Sequence, residues 1–279
     1  MDFQPIIKWN GSKRIQSEQI ISYFPKYMRT YYEPFCGGCS VLYQLMVSDE
    51  KFARDFVCSD TNPDLIALWN VVKDNPEGLF DEYNKMWSKM QSMDNKGMKR
   101  AYFEEIRNEF NKTRNSMLFF FIMRTCTNGI PRYNKHKEFN GTLHLTRDGI
   151  KPKRLQPVIM NWSELLNENE VTFRCCDYME IFDEVEEDDL LYLDPPYENT
   201  RTSKYFGEVK FENFFNQLRM LNARELKFVL SFDGSSGTPI EVPYDCYVNR
   251  VYIDSKNGSF RKTLEGRTNK DVYESLYWN

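Results

Sequence analysis

The 279-residue chain predicts an α/β fold in which a mostly parallel sheet is interrupted by a helical, basic insertion. Short apolar runs end in small or acidic residues, as in "TYYEPFCGG", "DFVCSD" and "LLYLDPPY". Strands of that kind suit a parallel sheet with ligands at its carboxyl edge. The first two runs lead into helical periodicity, a βα rhythm. That rhythm breaks near position 72 and returns near 170.

The elements follow in order. "SKRIQSEQIISYF" (12–24) has helical spacing. "TYYEPFCGGCSVLYQLM" (30–46) reads as a strand, a glycine turn and a helix start, and "DFVCSDTNPDLIALWNVV" (55–72) as a strand and a helix. Residues 73–123 are polar and rich in Met, Phe, Lys and Glu, which predicts successive helices. From 124 to 154, "TNGIPRYN" and "FNGT" are turn signals between hairpin arms. Strands resume in "EVTFRCCDYMEIF" (170–182), "DDLLYLDPPY" (188–197) and "KFVLSFDGSSG" (227–237). The C-terminal stretch from Cys246 predicts two strands around a basic, glycine-containing loop. The expected organisation is a core of 1–72 with 155–279, and an insertion of 73–154.

Composition excludes several classes. The longest apolar run, "MLFFFIM" (117–123), is too short to cross a bilayer, and the N-terminus lacks the apolar centre of a signal peptide. A cytoplasmic protein without a membrane partner is expected. Seven cysteines, an odd number, fit reduced thiols. Cys36 with Cys39, and Cys175 with Cys176, would need further zinc ligands, yet His136 and His144 stand near neither pair. No metal is expected. Net charge is −4, but Arg124 to Arg154 carries eight Lys/Arg against Glu138 and Asp148. A local basic surface on a mildly acidic protein binds phosphates, although charge alone equally fits a solvated face.

Gly37 and Gly38 lie between a strand and a helix, where a backbone without side chains lets a ligand approach. The turn matches neither G-x-G-x-x-G nor a P-loop. Glu33 just before it would repel a pyrophosphate and suits a cationic ligand. Asp60 ends the next strand, the usual place for an acid that binds ribose hydroxyls. A positively charged nucleoside without phosphates satisfies these demands, and S-adenosylmethionine is one. Each feature also has a plain reading, the glycines as a structural turn and Asp60 as a helix cap.

In "DPPY", two prolines stop a strand and fix an acceptor carboxylate, a carbonyl and a ring at its end. An exocyclic amine of a nucleobase is a poor nucleophile because its lone pair is delocalised. Asp194 and the Pro195 carbonyl, acceptors both, can take its two N–H groups and free that pair. Tyr197 can stack on the base, which must first leave the duplex. A proline-capped strand end with a packed tyrosine is the competing reading.

With these residues in hand, the chain resembles the Dam-type, or D12 class, N6-adenine-specific DNA methyltransferases. The resemblance rests on "IIKWNGSKR", "YYEPFCGGCSV", "SDTNPDL", "RTCTNGIPRYNKHKEFN", "DPPY" and a tail like "NKDVYESLY", in the family's order. It implies a Rossmann-like S-adenosylmethionine-dependent core with helices on both sheet faces, and a target-recognition insertion acting on double-stranded DNA. It further implies Trp9, Lys13, Phe35, Gly37, Gly38, Asp60, Asp177, Tyr178 and Asp194 at the cofactor, and Asp194, Pro195 and Tyr197 in catalysis. DNA contacts fall on Lys8, Arg124, Asn128, Arg132, Tyr133, Asn134, Lys135 and Lys137. Arg132 matches a base-contacting arginine, so guanine contacts are expected. Two departures stand out: Cys39 where the family has a further glycine, and "FNGTLHLTRDG" where familiar members read "FNVPFG". The second puts a GATC target in doubt.

The expected function is methylation of adenine N6 at a short duplex sequence. Alternatives are an RNA adenine or cytosine-N4 methyltransferase, and a non-catalytic DNA-binding protein. A monomer is the default for flipping one base, with a dimer as the alternative.

Overall fold

Residues 4–196, 209–232, 241–254 and 273–279 are described by a computed structural model. In chain order they form α1 (Ser17–Ser22), β1 (Tyr27–Glu33), α2 (Ser40–Met46), β2 (Phe52–Asp60), α3 (Pro63–Asp74) and α4 (Pro76–Gln91). Next come α5 (Lys96–Thr113), α6 (Ser116–Thr125), α7 (Pro152–Glu168), β3 (Thr172–Cys175), α8 (Tyr178–Phe182) and β4 (Leu190–Leu193). The last elements are α9 (Phe211–Ala223), β5 (Lys227–Phe232), β6 (Asn249–Asp254) and β7 (Tyr273–Trp278). The loop expected between the last two strands, and the "DGSSG" after β5, lie outside the described residues.

Two compact units emerge. One contains the N-terminal residues to Ser12 with Ser59–Cys176, and the other contains Lys13–Cys58 with the described residues from Asp177 onward. The boundaries differ from the expected 72 and 155. In the first unit, α3 and α7 pack on each other and on the helices between them, so they cluster with the insertion.

In the second unit the strands lie in the order β2-β1-β4-β5-β7-β6. β1, β2, β4 and β5 run parallel, while β7 is antiparallel to β5 and β6 antiparallel to β7. All four residues of β4, "LLYL", are buried, as a central parallel strand covered on both faces requires. From β1 the chain moves outward to β2 and later returns to β1's other side as β4. That reversal opens a crevice at the carboxyl ends of β1 and β4, where ligands of such sheets bind.

Asp189 sets the register beneath β4. Its buried carboxylate accepts from Arg29 Nε and a terminal guanidinium nitrogen, both at 2.9 Å, and from the Thr30 and Glu186 amides. Burial opposes ionisation there, but these donors outweigh it and hold the carboxyl below its usual value. Bidentate pairing of this kind fixes both position and orientation.

The first unit is helical, and its boundaries are chemically marked. Asn62, Asn75, Asn95 and Asn115 cap α3 to α6 by accepting from backbone amides, and Pro63 and Pro76 occupy first turns. α6 carries the apolar run, and Phe119 through Met123 are all buried. Trp69 of α3 packs on Trp162 of α7 at 4.9 Å and stacks on Phe173 of β3 at 5.6 Å. After α6 the expected hairpin forms, bridged at Cys126–Leu143 and Tyr133–Phe139.

Candidate active site

In the second unit, the glycine turn follows β1 directly. Gly37 sits at φ +46° and Cys39 at φ +53°, ψ +38°, both left-handed. The Cys39 amide donates to the Cys36 carbonyl at 2.7 Å and closes the turn just before α2. The family's extra glycine thus corresponds to a position that needs a left-handed backbone. Cysteine occupies it here at a cost of about 1–2 kcal/mol relative to an unstrained residue. Its side chain is fully buried, which pushes the thiol well above its ordinary pKa. Cys39 is therefore a small packed hydrophobe, and none of the seven cysteines, all described, forms a disulfide.

Lys13 and Asp194, distant in sequence, meet in an ion pair at 2.7 Å. Lys13 is only 6% exposed and Asp194 19%, so little water competes for either charge. The pairing keeps the carboxylate an acceptor at the carboxyl end of β4. Two prolines follow it, Pro195 buried and Pro196 half-buried. Tyr197 lies outside the described residues.

Glu33 corrects one expectation. It is buried, accepts from the Tyr31 hydroxyl at 2.9 Å, and also takes a hydrogen bond from the Leu42 amide. Burial raises its carboxyl to about 8, with the Asp194 charge adding to the rise and the hydrogen bonds opposing it. At neutral pH it is therefore protonated and does not present the negative charge that the sequence suggested.

Phe35, half-buried, and Tyr178, buried, bring their rings to 5.2 Å, and Phe214 closes the cluster at 5.8 Å from Tyr178. Asp177 caps α8: its carboxylate accepts from the Met179 amide while Glu180 accepts from its own amide. Among the expected cofactor residues, the second unit thus joins Lys13 to Asp194 and Phe35 to Tyr178. Gly37 shapes the turn after Phe35, and Gly38 is half-buried within it.

Trp9 and Asp60 belong to the first unit. Trp9 is half-buried. Asp60 does not cap α3, since Asn62 does that; instead its carboxylate accepts from the Asn62 amide at 2.9 Å.

The expected DNA contacts sort by exposure. Lys8, Asn128, Arg132, Lys135 and Lys137 are exposed. Lys8 packs its stem on Gly129, where an added Cβ would come within 3.0 Å, and Gly129 is left-handed at φ +64°. Burial, then Arg147 and Arg124, lower the Lys8 ammonium's pKa. Three residues have structural places instead. Tyr133 is buried and donates to Asp64 at 3.0 Å, so it anchors the hairpin and is not displayed to solvent. Asn134 organises the hairpin tip, accepting from His136 and Glu138 amides. Arg124 donates to the Pro5 carbonyl at 2.9 Å and lies over the Phe120 ring, and burial lowers its pKa to about 10.

Sequence reasoning missed Asp64, which is buried at the start of α3 and holds Arg114 at 3.1 Å as well as Tyr133. Arg114 donates onward to the Lys137 carbonyl at 2.7 Å. No local pattern could have joined these residues. Among the described residues, no helix is long and apolar enough to cross a membrane, and no group of His, Cys, Asp or Glu could hold a metal.

Residues 9–257 match the family model of the D12 class N6 adenine-specific DNA methyltransferases. The chain is 32% identical to the type II methyltransferase M.MjaIII of Methanocaldococcus jannaschii over 83% of its length and 84% of that protein's. It is 28% identical to the DNA adenine methylase of Haemophilus influenzae, over 70% of this chain and 64% of that one. The DNA adenine methylase of Vibrio cholerae is 30% identical over 72% of this chain and 67% of its own. The ordered turn, the acceptor at the end of β4 and these matches agree: the chain belongs to the D12 class N6 adenine-specific DNA methyltransferases, with S-adenosylmethionine as its methyl donor.

Proposed function

We propose that this chain is a site-specific enzyme in which Asp194 and Pro195, with Tyr197, activate the N6 amine of a flipped adenine in duplex DNA. The observation that carries this is the Lys13–Asp194 ion pair at the end of β4. The pair fixes the direction of an acceptor in a half-dry setting before substrate arrives, the condition under which electrostatic stabilisation is strongest.

The residues of the second unit fit the cofactor by their chemistry. A left-handed glycine turn admits a ligand close to the backbone, the Phe35 and Tyr178 rings offer faces to an adenine, and Asp194, at the end of β4, is a polar group paired with Lys13 from the segment before α1. Asp177, Trp9 and Asp60 complete the cofactor set on the resemblance. When bound, S-adenosylmethionine supplies an electrophilic methyl group whose carbon–sulfur bond breaks as the nitrogen–carbon bond forms, leaving a thioether. Asp194 and the Pro195 carbonyl accept from the amine's two N–H groups, so the nitrogen lone pair leaves the ring and attacks. Asp194 then takes the proton that the methylated nitrogen sheds and passes it to solvent. Residues 73–154 read the target, with Lys8, Asn128, Arg132, Lys135 and Lys137 on DNA.

The same reading has the enzyme act in the cytoplasm, as a monomer and without a metal, because flipping one base from a duplex needs one chain.

Incubation with unmethylated genomic DNA and S-adenosylmethionine, followed by single-molecule sequencing, tests it. N6-methyladenine confined to one short motif is expected. Asp194→Ala should lose methyl transfer by at least a thousandfold while remaining folded, at a melting temperature lowered by the loss of the Lys13 ion pair, and keeping most of its DNA affinity. Normal turnover in that variant would overturn the mechanism.

A further inference from the structure

Leu145 is the most exposed large apolar side chain of the first unit's described residues, with 80% of its surface open. It stands in the stretch where this chain departs from familiar relatives, between His144 and Thr146, with Arg147 two residues on. Burying a leucine stabilises a fold by roughly 2 kcal/mol, and a solvated basic loop has no need of one.

The turn that displays it is well anchored. On one side, the His144 amide donates to the Thr125 carbonyl at 3.0 Å, beside the Cys126–Leu143 bridge. The Thr127 amide and hydroxyl both donate to the Thr142 carbonyl, at 2.8 and 3.1 Å. At the apex, the His144 Nδ1 accepts from the Thr146 and Arg147 amides, at 3.1 and 3.2 Å. On the far side, Lys99 pairs with Asp148 at 2.6 Å. The Tyr83 hydroxyl there donates to the Ile150 carbonyl and accepts from its amide. Leu145 therefore projects from a turn held at both ends and braced across its tip. A cation stands close in sequence, Arg147, whose amide the same His144 ring holds.

We propose that Leu145 is the wedge that enters the base stack when the target adenine leaves it. Extruding a base leaves a gap between two unstacked neighbours. Proteins that unstack duplex steps fill such gaps with leucine, phenylalanine, isoleucine or methionine, and hold the flanking phosphates with basic residues. An anchored apolar tip beside an arginine has that composition. A phosphate-facing position would instead call for Lys or Arg. The inference rests on the reading of residues 124–154 as the DNA face.

The test uses the intact protein and duplexes carrying its methylation motif, with 2-aminopurine at the target position for the flipping measurement. Leu145→Ala should lose most of the fluorescence rise that reports extrusion and methylate the normal duplex at least tenfold more slowly. The same variant should recover to within about threefold of wild type when the target lies opposite an abasic site, where the base is already poorly stacked. Leu145→Phe should retain both signals, and all variants should melt as wild type does. A Leu145→Ala rate within twofold of wild type on the normal duplex overturns the wedge, as does an equal loss on both substrates. Arg132→Ala, run alongside, separates the two failures. If it alone impairs methylation of the motif, only the wedge is lost; if neither variant changes rate or site choice, the DNA-face reading is lost with it.

Discussion

Glu33 shows how little a residue's identity says about its charge. Its sequence position, just before a glycine turn, reads as an anion that would welcome a cation. In the fold it is enclosed by Tyr31 and by the chain around α2, and burial lifts its carboxyl to about 8. Between its ordinary value of 4.5 and about 8, the folded chain keeps a proton that the unfolded chain has lost. Stability from this group is therefore full below pH 4.5 and falls as pH rises towards 8, by up to about 1.4 kcal/mol per unit. Glu33→Gln removes the titration. Urea midpoints at pH 5 and pH 8 should show wild type losing ground to the variant over that range, and a constant offset would contradict the assignment. Asp194, at the next strand end, has a different partner: Lys13, at 2.7 Å. Two neighbouring acids are thus set in different surroundings, one beside a tyrosine hydroxyl and one beside an ammonium.

At the scale of elements, the glycine turn and the recognition hairpin are both held by single residues under strain or load. Cys39 occupies a left-handed position and fills a buried space at once. Replacing it separates the two effects. Cys39→Ala keeps the left-handed penalty and loses the sulfur contacts, whereas Cys39→Gly loses the contacts and the penalty. The glycine variant should exceed the alanine variant in unfolding free energy by about 0.5–1 kcal/mol, after allowance for glycine's looser unfolded chain. Equal stabilities by urea denaturation would mean that the turn relaxes around alanine. The hairpin hangs on Asp64, which holds Tyr133 from one arm and Arg114 from the end of α5, and Arg114 in turn holds the Lys137 carbonyl. A buried carboxylate with two donors ties the hairpin to the first turn of α3, the helix that begins just after Asp60.

For the whole molecule, the two units carry different groups. The second unit carries the turn, the acceptor pair and the aromatic cluster, and the first unit carries the exposed cations. Arg132 is exposed on a hairpin arm whose backbone accepts from Asn140 at 2.8 Å, so its guanidinium is presented from a fixed strand. Arg132→Ala should weaken binding to the cognate motif by roughly 1–3 kcal/mol and relax preference at one base, while binding to unrelated duplex stays within twofold. Competition binding on single-base variants of the motif measures this. A uniform loss across all sequences would assign Arg132 to a phosphate.

Much of this protein is written locally. Strands, the glycine turn at Gly37 and the DPPY tetrapeptide each depend on a few adjacent residues, so residue type and spacing were enough to find them. The same holds for the excess of positive charge between Arg124 and Arg154. What was not legible depends on pairs that the chain brings together from afar. Lys13 meets Asp194, Asp64 meets Tyr133, and Phe35 meets Tyr178 only after folding. The resemblance made Tyr133 a DNA contact, but a buried carboxylate sixty-nine residues earlier claims its hydroxyl. Protonation was equally hidden, because a pKa follows the dielectric that distant side chains create when they exclude water. Sequence carries the chemistry of each group; folding sets which groups meet, and how dry the place is where they do.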